Sequence, residues 1–147
     1  MALQSPVFVF AALSLAVGLA WFFGGRPERA ATAAILTAWA VGLALFDWKI
    51  GRLSAGLALS DLGLMLVLGR LALTHDRWWL LAATAAQALA VASHLARLLL
   101  PDINETANLA ALAVFDLLVV LALAGGVAER WLARETPAGL QRDQVPA

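Results

Sequence analysis

The chain is predicted to be an all-α integral membrane protein: a five-helix transmembrane bundle with short loops, its N-terminus outside and its C-terminus cytoplasmic. Three observations lead there. Of 147 residues, 63% are hydrophobic and only 14% charged, against about half and a quarter in a soluble domain. Five uncharged or nearly uncharged stretches approach the roughly 20 residues that cross a bilayer. Tryptophans stand at most of their ends, as expected of side chains that prefer the membrane–water interface.

The first span is placed at about Pro6 to Phe23 and the second at about Ala30 to Phe46, both without charge. The third runs from about Leu53 to Leu73 with Asp61 and Arg70, and the fourth from about Trp78 to Leu100 with Gln87, His94 and Arg97. The fifth runs from about Ala107 to Val127 with Asp116. Glycine, proline and charge separate the first two spans (24–29). Short polar segments at 47–52, 74–77 and 101–105 separate the rest, so neighbouring helices should run antiparallel. Thr74 or Asp76 is expected to cap the fourth helix, and Pro101 to stop it. Residues 1–128 thus form the bundle, and residues 129–147 read as a polar, disordered cytoplasmic tail. The first span lacks the basic leader of a cleaved signal peptide and is expected to remain.

Trp21, Trp48, Trp78, Trp79 and Trp131 fall at span ends and read as interfacial anchors; Trp39 lies deeper. Basic residues orient the chain through the positive-inside rule. Arg26, Arg29, Arg70, Arg77, Arg130, Arg134 and Arg142 lie on one side, and only Lys49, Arg52 and Arg97 on the other. The larger set should face the cytoplasm of a bacterial-type inner membrane.

The candidate site is an intramembrane polar cluster. Ionisable groups at depth are costly in lipid and usually face the bundle interior or a wet cavity. Asp61, Gln87 and Asp116 fall near the middle of three different spans. His94 lies seven residues after Gln87 on the same stripe, about 10 Å nearer the outer face. Thr84 extends the stripe of the fourth span, while Glu105 and Asn108 share that of Asp116. The three polar faces are expected to converge, because lipid offers no hydrogen-bonding partners. Two readings follow: a structural clasp between helices, or a site for a proton, a cation or a small polar ligand.

Other chemistry fits poorly. The sequence has no cysteine, and its Lys+Arg and Asp+Glu totals are equal at 10 each. A disulfide scaffold and a basic nucleic-acid surface are therefore not expected. His75 and His94 lie 19 residues apart, about 28 Å along a helix, too far for one haem. No zinc-ligand spacing and no phosphate-binding glycine loop occurs, since Gly24-Gly25 and Gly125-Gly126 are too short. No catalytic residue, metal or cofactor is assigned. Small residues line one stripe of span one (Ala11, Ser14, Gly18) and one of span three (Gly56, Ser60, Gly63), which suits close helix packing. The expected role is an accessory or scaffold subunit in the lipid bilayer, packed against a membrane-protein partner or in a homo-oligomer. The alternative is a small proton- or cation-coupled transporter using Asp61, Gln87, His94 and Asp116.

Overall fold

A computed structural model describes residues 6–51, 53–100 and 102–133, with the side chains of the first helix described from Ser14 onward. Five helices follow in order: α1 (Pro6–Phe23), α2 (Arg26–Ala44), α3 (Ala55–Thr74), α4 (Trp78–Leu99) and α5 (Glu105–Leu132). Each packs on its neighbour in sequence, and α5 returns against both α1 and α2 to close the bundle. Three helices, α3, α4 and α5, are long and apolar enough to cross a membrane.

Helix ends differ from the hydropathy pattern where local chemistry overrides it. α2 starts at Arg26, four residues before the expected apolar stretch. Pro27 suits a first turn, where its missing N–H costs nothing, and Glu28 reaches back to the Gly25 N–H at 2.7 Å. Between α2 and α3 the chain forms a small hairpin, β1 (Lys49–Ile50) against β2 (Leu53–Ser54), with Ile50 opposite Leu53. Gly51 takes a φ of 60° there, the left-handed conformation that tight hairpin turns demand and glycine adopts without a Cβ penalty. Leu53 and Ser54 therefore belong to a strand rather than to the third span.

Neither Thr74 nor Asp76 caps α4. The Thr74 hydroxyl donates to Arg70 and Leu71 carbonyls of its own helix at 2.9 and 3.2 Å, and Arg77 occupies the cap position without a side-chain bond. At α5, the Asn104 side chain accepts from the Thr106 and Ala107 N–H groups at 2.9 and 3.2 Å. This satisfies donors that a helix start leaves open. α5 then continues through Gly125 and Gly126 to Leu132, about 42 Å of helix. Of the tail expected from residue 129, positions 129–132 are helical; positions 134–147, and Pro101, lie outside the described residues.

The apolar core occupies one half of the bundle. Ala20 of α1, Ala31 and Ile35 of α2, Leu64 and Leu68 of α3, Trp79, Leu80 and Ala83 of α4, and Val119 and Leu123 of α5 form one buried cluster. Trp79 is fully enclosed, which corrects its expected place in the interfacial belt. Trp21, Trp48, Trp78 and Trp131 are exposed. The seat for Trp79 is Gly126, where a Cβ would lie 2.5 Å from the indole nitrogen. Trp78 comes against the adjacent Gly125, 3.3 Å from where its Cβ would be. The glycine pair thus admits the paired tryptophans of α4 to the surface of α5.

Gly126→Ala should force this contact apart and destabilise the protein by about 1–3 kcal/mol, the usual cost of overpacking. Gly18→Ala is the control, because nothing lies within 4 Å of its added carbon. Thermal unfolding of the two variants in one detergent compares them directly; equal midpoints would show that the Trp79 seat is slack.

Candidate functional site

α3 carries Asp61 in its second turn, and α4 carries Gln87 and His94 two turns apart on one face. Side chains on a helix lean toward its N-terminus. Gln87 and His94 keep their two-turn separation on α4, and the Asp61 carboxylate lies where both long side chains can reach it. Both meet Asp61. Gln87 Nε2 donates to Asp61 Oδ1 at 2.9 Å, and His94 Nε2 stands 2.8 Å from Asp61 Oδ2. With Asp61 ionised, the carboxylate only accepts, and the His94 tautomer that carries its hydrogen on Nε2 is the one that donates to it. Gln87 is fully buried and His94 is 4% exposed; Asp61 is half-buried.

Asp116 approaches the same cluster from α5. It is half-buried and lies within electrostatic reach of Asp61 and His94. The polar faces of α3 and α4 thus meet at Asp61, which both Gln87 and His94 reach, and Asp116 of α5 lies within electrostatic reach of them. Among the described residues the Asp116 carboxyl makes no hydrogen bond. The Gln87 Oε1 atom is buried and also has no partner.

The supporting polar residues divide. Thr84 does not join the cluster, because its hydroxyl donates at 2.7 Å to the Leu80 carbonyl of its own helix. Glu105 is exposed and pairs with Arg97 at 3.3 Å across the α4–α5 turn. Asn108 is buried one turn into α5. Beside His94 lies a cleft of about 110 Å³ whose other walls are apolar, Leu62, Val91 and Leu95 among them. Bound water needs two to four polar partners, and these walls supply none. Among the described residues, no three His, Cys, Asp or Glu side chains are arranged to hold a metal.

A second polar grouping at the opposite end went unread in the sequence. Glu28 is fully buried and Arg130 is 6% exposed. Both sit against Gly25, where a Cβ would collide with the Arg130 guanidinium and with Glu28 Oε2. Nearby in sequence, Arg77 reaches across from α4 to Glu129 of α5 at 3.2 Å. Glu28 and Arg130 look like loop and tail charges in a hydropathy profile. The available signal was the glutamate three residues after Gly25, the spacing of a side chain that reaches back to a helix start.

Comparison with known proteins finds no matching family model, no matching curated relative and no matching solved structure.

Removing the hub should cost more than removing a spoke. Asp61→Leu leaves the Gln87 amide and the His94 ring buried without their acceptor, and stability should fall by about 1–3 kcal/mol. Gln87→Leu removes one bond and the unpartnered Oε1 together, so it should cost less. Equilibrium unfolding in mixed detergent ranks the two; the reverse order would mean that Asp61 does not hold α3 to α4.

Proposed function

We propose that the chain is a multi-pass protein of a bacterial-type inner membrane that acts as an accessory or scaffold subunit, packed against a partner membrane protein or a second copy. All five helices span in this reading, with the N-terminus outside and the C-terminus cytoplasmic. The basic residues support that orientation. Arg77 and Arg130 lie with the α1–α2 turn at one end, the end that the positive-inside rule assigns to the cytoplasm.

The observation that carries the reading is Gly63. A glycine inside a helix costs about 1 kcal/mol relative to alanine, so its place usually has a packing reason. Gly56 has one inside the fold, since a Cβ there would collide with the Leu45 carbonyl. Ser60 fits against Gly42 in the same way. Gly63 has none: nothing lies within 4 Å of its missing Cβ, and Leu59, Leu62, Leu66 and Val67 around it are exposed. A shallow notch in a lipid-facing surface lets another helix backbone approach closely. The closed arrangement at Asp61 adds support, because both carboxylate oxygens are already used in tying α3 to α4.

Purification from native membranes in mild detergent tests the assignment. The wild type should run as a stoichiometric complex or oligomer, and Gly63→Trp should lose that association while keeping its helix content. A wild-type monomer with nothing retained, or a complex indifferent to Gly63→Trp, would overturn it.

A further inference from the structure

Independently of any partner, we propose that Asp116, with Asp61 and His94, forms a proton-binding site inside the bundle. The tie between α3 and α4 is complete without Asp116, since Asp61 already accepts from both Gln87 and His94. Interhelical packing therefore does not explain a carboxyl midway along α5 at this point. Ionisable side chains at such depth are retained chiefly where they bind or relay something.

Hydrogen-bond bookkeeping points to the ligand. With all three groups deprotonated, the cluster holds acceptors on Asp61, Asp116 and Gln87, but donors only on the Gln87 amide and the His94 ring. The fully buried Gln87 Oε1 has no donor. A proton on a carboxyl converts an acceptor into a donor and so lowers the excess of acceptors in the cluster. Charge points the same way. Asp61 and Asp116 contribute one negative charge each and a neutral His94 none, so two bound protons make the cluster neutral. Every other count leaves net charge in a low-dielectric interior. A proton also needs no cavity, and the cleft beside His94 is small and apolar-walled.

Among the described residues, the remaining charges lie toward the helix ends or in the α2–α3 hairpin, where Lys49 is exposed. α1 carries no ionisable residue, and the charged residues of α2 lie in its first turn at the far end. Arg70 stands toward the far end of α3, and Arg97 pairs with Glu105 at the near end of the bundle. The ionisable groups within electrostatic reach of Asp116 are Asp61 from α3 and His94 from α4. Gain or loss of a proton on any one of the three must then alter the other two.

The test is a pH titration of the full-length protein in phosphatidylcholine–phosphatidylglycerol vesicles, read by solid-state NMR of labelled aspartate carboxyls and histidine rings. His75→Gln separates the two histidine signals. The Asp116 carboxyl and the His94 ring should titrate together, and Asp116→Asn should displace the His94 midpoint. A His94 midpoint unchanged by Asp116→Asn overturns the proposal. Should that variant not fold, the wild type decides. Linked transitions of Asp116 and His94 support the site, and independent transitions, or none at Asp116, overturn it.

Discussion

A carboxylate within a largely apolar bundle must find its partners on a neighbouring helix, and in this protein Asp61 finds both on α4. That requirement fixes more than one bond. Gln87 and His94 stand on the same stripe two turns apart, so a single acceptor between them sets the rotation and the height of α3 against α4 together. Lipid offers no water to compensate a slipped register. The constraint then passes outward. α4 lies between α3 and α5, so locking α3 to α4 also sets which face of α4 remains for α5 and where Asp116 arrives.

The opposite half of the bundle relies on shape. Trp79 fills the core between helices and can do so only because Gly126 presents no side chain. Gly24, Gly25 and Gly126 serve one end of the molecule: a Cβ on Gly24 would collide with the Ala20 carbonyl, and one on Gly25 with the Arg130 guanidinium. Buried charge at this end is held by local geometry. Glu28 is anchored to the start of its own helix, which puts its carboxylate beside Arg130 without freezing a long loop. Conformational entropy lost on ordering a connection grows with the residues that must be fixed, and the α1–α2 turn fixes only Gly24 and Gly25.

Much of this was legible in the sequence because one physical variable dominates it. Hydropathy over windows of about 20 residues marked five helical segments, and helical spacing put Asp61, Gln87, His94 and Asp116 on faces that meet. What hydropathy does not carry was missed. Pro27 and Glu28 read as a break because charge lowers the local average, although both favour a first helical turn. The fifth span was expected to end by about Val127, just past Gly125-Gly126, whereas α5 runs on to Leu132; the approach of Trp79 to Gly126 was not visible in one dimension. Thr84 was grouped with Gln87 by angle alone, and a hydroxyl that satisfies itself on the preceding turn needs no partner across the bundle.

The two halves also differ in what a change of charge would do. Near the α1–α2 turn, Arg77 and Glu129 make a mutual pair and Glu28 lies by Arg130, so each of these acidic groups stands beside an arginine. In the half that holds Asp61, the charged groups within electrostatic reach of Asp116 are Asp61 and His94, while Arg97 pairs with Glu105. Asp116 therefore couples the hydrogen-bonded tie between α3 and α4 to α5, the helix that also closes the bundle against α1 and α2. A charge change at that residue acts on a helix that packs against α1, α2 and α4, and so on both the polar and the apolar half of the bundle.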